Sequence, residues 1–551
     1  MLLKILLHSL FLSTVLTLNI LVYSPAFAGS HSNFLGQLAD TLTERGHNVT
    51  FLVPVVMVGK REECVKGVKL TKDVVVVEAG EETLSQQKED SNNDANMKAY
   101  WTASMDSSNA RTIGQWFSIA LKSACRHFHS RRDIFEQMKA KNFDVAILEP
   151  ISVCGLGYVK ALGIEKTILA TSFTFYDFVL PHIGEPLDYS SVPGAFGASG
   201  EVMTMAERYE NWMVTKEQNA AQIDAFEGEM EAYRKYSGEN LPDWKELLPS
   251  ASLFFVNSNP FLDFPRQVLQ KTIPIAGITI NLDWIKQQTL TEDWENILEK
   301  RPHTVLISFG SMIKSMYMPE EWRNGLLQAI RQMPDVTFIW KYESDDVAFA
   351  ANIPNLHFSK WVPQTALLND ARLSAFVSHG GVGSVLEVAY SGKPTIMIPI
   401  FADQIRNANM LARHRGAIHL NKNDMKNVGV VKKAFEDILF DEKYKESSKK
   451  LAELLADQPY SPKDNVSKYT EFVGKHGLFP AMDPYGRHMN FIQKNFLDIY
   501  GLFAIFYAIA TIFVIFIVSW AYKKFMACSI SRAQKIQESL HKESHIQKGN
   551  K

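Results

Sequence analysis

Short apolar runs rich in β-branched residues alternate along this chain with longer amphipathic stretches, a pattern that parallel sheets covered by helices satisfy. Asn19–Tyr23 reads as a strand. Phe34, Leu35, Leu38, Ala39 and Leu42 then recur at helical spacing, Gly46 stops that helix, and Val49–Val53 is strand again. The polar stretch Glu78–Asn96 reads as a surface loop, Asp144–Leu148 and Lys166–Ala170 as short strands, and Glu201–Tyr236 as an acidic, aromatic-bearing helical region. After Arg301-Pro302 the alternation repeats more cleanly, with strands at Thr304–Phe309, Thr337–Trp340, Ser374–Val377 and Thr395–Ile400 and a short segment at Leu356–Ser359. The expected class is therefore α/β: a first domain over residues 18–285, a second over 286–460, and a closing helical segment over 461–496.

The two ends differ from this body. Lys4 followed by an uncharged apolar run from Ile5 to Val22 reads as a signal peptide. Cleavage near Thr17 keeps Asn19–Tyr23 as a strand, whereas the small residues Ala26 and Ala28 suggest a later site. Ile499–Ala521 is 23 residues without a formal charge, enough at 1.5 Å per residue to cross a hydrocarbon core of ~30 Å. Lys523, Lys524, Arg532, Lys535, Lys542, Lys548 and Lys551 follow it against only Glu538 and Glu543. The positive-inside bias puts this tail in the cytosol and the body outside it. Sequons at Asn48-Val49-Thr50 and Asn465-Val466-Ser467 agree with that side. A balance of 58 Lys+Arg against 60 Asp+Glu gives no global basic field, so no nucleic-acid partner is expected. Four widely spaced cysteines, Cys64, Cys125, Cys154 and Cys528, fit neither a zinc module nor a disulfide-dense scaffold, leaving packing to hold the fold.

Ligands of open parallel sheets bind beyond the carboxyl ends of the strands. Ser308 and Gly310-Ser311 end one strand in a small hydroxyl-bearing turn; Trp361-Val362-Pro363-Gln364 follows another, with an indole able to stack on a base. Ser374–Ser378 runs into His379-Gly380-Gly381-Val382-Gly383-Ser384 and a helix Val385–Ser391, where free amides and the positive helix end favour a pyrophosphate. Glu387 stands three residues after Ser384, so it either closes a capping box or meets a ribose diol. Phe401-Ala402-Asp403-Gln404 offers a carboxylate and a carboxamide to sugar hydroxyls, or else an N-cap. Together these residues describe a site for a nucleotide diphosphate sugar.

The run Trp361-Val362-Pro363-Gln364, His379-Gly380-Gly381, Glu387, Pro399 and Asp403-Gln404 resembles the signature of the UDP-glycosyltransferase family, animal UDP-glucuronosyltransferase type. Gly29-Ser30-His31, Arg45-Gly46-His47 and Ser308-Phe309-Gly310-Ser311 extend the likeness over nearly the whole chain. The resemblance implies the GT-B architecture, two Rossmann-like domains facing across a cleft, with a UDP-sugar as co-substrate and no other cofactor. It implies that Trp361 and Gln364 meet the uracil and ribose, Ser311 and His379 the diphosphate with the turn Gly380, Gly381, Gly383 and Ser384, Glu387 the ribose, and Asp403 and Gln404 the sugar. Gly383 departs from the family, whose animal members often carry Asn there.

The same resemblance makes His31 the general base and places its carboxylate partner in Phe143–Pro150, at Glu149, where many members have Asp. An imidazole titrates close to neutrality and so suits proton removal from a hydroxyl; the alternative is a histidine that caps the first helix. The implied reaction is inverting transfer of a glucuronosyl or glucosyl group to a small lipophilic acceptor. His379 would donate a hydrogen bond or positive charge to the leaving diphosphate. No Asp-x-Asp stands at a strand end, so no metal ligands are assigned. Trp101, Trp116, Phe173, Phe175 and Tyr176 are candidates for the acceptor pocket or equally for the core, and Lys341 is a candidate for a sugar carboxylate or a solvated lysine. His47 and Asp144 read as structural. A glycolipid-forming transferase and a non-catalytic UDP-sugar-binding partner of a sister subunit are the competing readings. The expected placement is a single-pass endoplasmic reticulum membrane protein with luminal domains, as homo- or hetero-oligomer.

Overall fold

The computed structural model describes residues 17–89, 93–104, 106–238 and 242–548. The expected signal segment before Thr17 lies outside the described residues. Among the described residues, thirteen strands form two wholly parallel sheets. The first holds β1 (Asn19–Tyr23), β2 (Asn48–Pro54), β3 (Asp73–Val77), β4 (Val145–Leu148), β5 (Thr167–Thr171), β6 (Leu253–Val256) and β7 (Thr272–Pro274), in the order β3-β2-β1-β4-β5-β6-β7. The second holds β8 (His303–Ser308), β9 (Val336–Lys341), β10 (Leu356–Ser359), β11 (Leu373–Ser378), β12 (Thr395–Met397) and β13 (Ala417–His419), in the order β10-β9-β8-β11-β12-β13. Each order reverses direction beside its first strand, the switch point at which such sheets open a crevice.

The central strands are buried on both faces, which is why they read as unbroken apolar runs, whereas the edge strands β3 and β10 are half-buried. Register then fixes which residues leave the sheet together. Tyr23 pairs with Leu148, so Ser24 and Glu149 emerge side by side from β1 and β4. Ser378 pairs with both Ser308 and Met397, which places three strand exits in a row in the second sheet.

Three expectations need correction. Glu78–Asn96 is not a loop: Glu81–Glu89 and Asn93–Thr102 are helices. The Glu, Gln and Lys residues there are good helix formers, and Thr83 forms the buried side of the first helix with its hydroxyl on Ser123. Packing is not the sole restraint, because Cys125 and Cys154 form a disulfide between the helices Ser107–Ser130 and Cys154–Ala161. His129 lies beside the same sulfurs, but joined sulfurs are not a metal-ligand set. The third concerns the end of the second sheet: β12 stops at Met397, and Ile398–Ile400 already belong to the turn that carries Asp403.

The helix Pro462–His476 follows the second sheet in sequence yet packs on the first, adding Val466 and Val473 to a core with Ile20, Leu38 and Phe51. Arg45–Asp464 and Lys463–Glu44 pair along its rim, and His47 bridges the backbone N–H of Leu18 and the Glu471 carboxylate. Asp144 accepts from the Asn19 N–H. Both residues serve the framework.

Residues 17–483 form one compact unit and 484–548 a second. Within the second, Leu497–Lys548 is a single helix whose apolar part is long enough to cross a membrane. It continues through the basic tail because no Gly or Pro interrupts residues 502–548.

Candidate active site

His31 sits in the first turn of the helix Gly29–Glu44, directly after the β1 exit. That helix makes no side-chain cap bond, so the capping alternative for His31 fails. Its Nδ1 instead lies 2.8 Å from Glu149 Oε2 and 2.7 Å from Ser172 Oγ. An ionised carboxylate only accepts, so the proton of the pair belongs on Nδ1 and the Nε2 lone pair stays free. Glu149 is 1% exposed, and its other oxygen accepts the Ser172 N–H at 2.8 Å. Glutamate therefore reaches His31 from the β4 exit despite its extra methylene. The sequence reading missed Ser172, although its place directly after β5 is the kind of position the strand-end rule singles out.

The imidazole is walled by Phe27 at 4.4 Å and Phe173 at 5.1 Å between ring centroids. Phe27 continues into an apolar cluster with Val56, Leu121 and Ile151, against which Phe117 and Tyr176 pack. Of the proposed acceptor aromatics, Phe173 and Tyr176 thus stand beside His31. Phe175 turns away, stacked under Arg266, and Trp101 is in the core of the second domain. The side chain of Trp116 lies outside the described residues.

The second sheet supplies the opposite wall. Gly310 and Gly380 have φ of +84° and +87°, a region open to glycine, and their N–H groups point back to Ser308 Oγ and Ser378 Oγ. The buried His379 ring fills the space between Gly310 and Gly381, so closely that a Cβ on Gly310 would come within 2.5 Å of it. Burial, and then the Lys341 charge, pull the His379 pKa down to about 4. It is consequently a neutral hydrogen-bonding group, not the cation offered as an alternative. Lys341 is no free cation for a sugar carboxylate either: its ammonium donates to Gly310 O at 2.6 Å and pairs with Glu343.

The helix after β11 begins at Val382, three residues earlier than expected, with Gly381 as an N-cap that makes no side-chain bond. Its first-turn amides are thus open to a ligand. Gly383 lies in this turn with open space where a Cβ would stand. The early start also removes the capping box. Glu387 accepts from Gln364 Nε2 at 2.5 Å and from Thr365 Oγ1 at 2.7 Å, and Gln364 also reaches Ser384 Oγ at 3.3 Å. Three assigned residues are therefore one network, beside a Trp361 side chain that is 73% exposed.

Ala402 holds a φ of +56°, unusual for a residue with a side chain, and Asp403 follows it. The Asp403 carboxylate makes no cap bond; it accepts from Asn407 Nδ2 at 2.7 Å. Burial raises its pKa, opposed by the Asn407 bond and, when His31 across the cleft is protonated, by that charge. Gln404 is buried, and its Oε1 accepts from the N–H groups of Ile400 and Phe401, so only its amide nitrogen is left for a ligand. Ser311 Oγ is exposed and 3.5 Å from Glu63 Oε1 of the first domain, a carboxylate the sequence reading did not single out.

The protein family described as UDP-glucoronosyl and UDP-glucosyl transferase matches residues 19–532. A putative UDP-glucuronosyltransferase of Caenorhabditis briggsae is 27% identical over 495 residues, 87% of this chain and 89% of that one. UDP-glucuronosyltransferase 1A9 of Mus musculus is 25% identical over 497 residues, 89% of each. Among solved structures, a UDP-glucosyltransferase from Polygonum tinctorium aligns with TM-score 0.56 at 14% identity, over 83% of this chain and 99% of that one. The glycosyltransferase VinC in complex with dTDP aligns with TM-score 0.55 at 15% identity, over 83% and 100%. The shared architecture is GT-B.

Proposed function

We infer the reaction from the premise that this chain belongs to the UDP-glucoronosyl and UDP-glucosyl transferase family, and is a glycosyltransferase that takes its sugar from a UDP-sugar. Our reading is inverting transfer of a hexosyl group, glucuronosyl or glucosyl, to a small lipophilic acceptor. The observation that carries it is the buried Glu149 carboxylate on Nδ1 of His31, in a cleft whose far wall bears Asp403. His31 Nε2 removes the acceptor proton while the acceptor oxygen attacks the anomeric carbon, and Glu149 stabilises the imidazolium that results. The bond to UDP breaks on the opposite face, which inverts the centre. Negative charge gathering on the diphosphate meets the amides after Gly381, the Ser311 hydroxyl and a hydrogen bond from His379.

Trp361 stacks on the uracil in this reading, Gln364 and Glu387 hold the ribose, and Asp403 with Gln404 takes the sugar hydroxyls. The apolar cluster behind Phe27 and Phe173 receives the acceptor, as a lipophilic ring or chain requires. No step is assigned to a metal. The C-terminal apolar helix anchors the protein in a membrane; we place the domains in the lumen of the endoplasmic reticulum, in line with the basic tail and with a disulfide suited to an oxidising compartment.

The test is UDP release and glycoside formation by the detergent-solubilised protein in EDTA, with UDP-glucose and UDP-glucuronate supplied separately to phenolic and lipid acceptors. His31→Ala should lower turnover by about 10²–10⁴-fold, the range for loss of a general base, while UDP binding is kept. Turnover indifferent to His31→Ala would refute the base assignment. UDP binding without turnover from either donor would favour the non-catalytic partner, and transfer only to lipid acceptors the glycolipid-forming enzyme.

A further inference from the structure

Trp101 precedes the helix Ser107–Ser130 of the first domain, yet its side chain belongs to the second. It is fully buried, edge-on to Phe309 at 5.0 Å and to Trp322 at 6.4 Å, and its Nε1 donates to Lys314 O at 3.1 Å. Phe309 and Lys314 bracket the Gly310-Ser311 turn. Two residues later, Ala103 O accepts from Lys422 Nζ at 2.6 Å, and the same ammonium donates to Ile400 O at 2.7 Å. Tyr100 lays its ring on Phe401 at 4.9 Å. Ile400 and Phe401 lead directly into Ala402, with its positive φ, and Asp403.

The segment 100–103 therefore grips both donor-side turns from outside the cleft. A turn beyond a strand end has no ladder partner, so its shape must come from other contacts or be imposed by the ligand at a cost in ordering. We propose that Trp101 and Lys422 are positioning residues for the UDP-sugar, Trp101 fixing the Gly310-Ser311 turn and Lys422 the Ile400–Asp403 turn. This rests on reading the cleft as the UDP-sugar site. The two turns meet different parts of the donor, so the two residues should act separably.

Trp101→Phe keeps an aromatic ring in the core but removes the Nε1 bond together with part of the packed indole, whose loss the thermal unfolding reads; Lys422→Met keeps the apolar stem and removes both carbonyl bonds. The full-length protein in detergent is titrated calorimetrically with UDP, UDP-glucose and UDP-glucuronate, beside thermal unfolding and acceptor KM. Trp101→Phe should weaken UDP and the sugar nucleotides alike by about fivefold, the scale of one hydrogen bond. Lys422→Met should leave UDP within about twofold and weaken the preferred sugar nucleotide by about tenfold, as loss of charged hydrogen bonds implies. Acceptor KM should hold in both. Unchanged nucleotide affinities would overturn the proposal, as would losses that follow the melting temperature and strike donor and acceptor equally. A wild-type protein that binds no UDP would overturn the underlying site reading, and the proposal with it.

Discussion

At the scale of single residues, burial decides which side chains can carry charge. Burial pulls the pKa of both His379 and His129 down to about 4, helped at His379 by the Lys341 charge and opposed at His129 only by the carbonyl of Cys154. In an unfolded chain each would titrate near 6.5. Between pH 6.5 and 4 the unfolded state thus binds protons that the folded state refuses, so this part of the stability is present above pH 6.5 and is lost as the pH falls. His129 packs among Phe128, Tyr158 and Tyr233, so His129→Phe should fit. The stability difference between variant and wild type should shift by about 3 kcal/mol in favour of the variant from pH 7 to pH 4, read from urea unfolding at each pH. A difference independent of pH would mean that His129 is not held neutral. Glu229 titrates the opposite way, raised to about 7 by burial, but its contribution cancels in that difference.

At the scale of elements, the site is a set of strand exits, each closed by a local device. Gly310 answers two demands together: a φ of +84° and a His379 ring that leaves no room for a Cβ. Gly310→Ala should displace His379 or the turn and weaken UDP binding by about tenfold or more, while Gly383→Ala, with open space at its Cβ, should leave the fold intact. Equal UDP affinity in Gly310→Ala and wild type, measured by titration calorimetry, would show that the turn tolerates the side chain. Ala402 is the converse device, a non-glycine residue held at φ +56° by the Gln404 carboxamide on the backbone beside it.

For the whole molecule, the cleft exists because two domains are locked in one relative pose. Asp263, between β7 and the β6 exit, meets Arg406 in the helix after Asp403 at 2.5 Å, both 2% exposed. Ser258 Oγ and the Phe264 N–H also donate to Asp263, and Arg413 donates to its backbone carbonyl. Removing one member of such a pair strands the other in the interior. Asp263→Ala should cost about 3–5 kcal/mol in unfolding by urea, and it should lower turnover more than UDP affinity because His31 and Asp403 lie on opposite sides of the joint. Loss of the UDP site alone would place the pair's role within the second domain.

Much of this was legible in the sequence, for physical reasons that differ from residue to residue. Strands apolar on both faces announce a covered parallel sheet, and Asn19–Tyr23 stands as read, because local composition alone specifies it. The strand-end turns and the apolar C-terminal helix were readable likewise, since a glycine-rich exit or an uncharged run has few other uses. What the sequence by itself could not decide was every choice between two partners. Glu387 had an equally good partner at Ser384 until the helix start at Val382 withdrew it, and Lys341 looked free until Gly310 O and Glu343 closed around it. Trp101 could line the acceptor site or sit in a core by its position in the chain, and its indole is buried in the core of the other domain. Periodicity is a property of neighbours along the chain and survives without tertiary contacts. The protonation of His379, the company of His31 and the ownership of Trp101 depend on groups 100 or more residues away or on burial, and only the packed molecule brings these about.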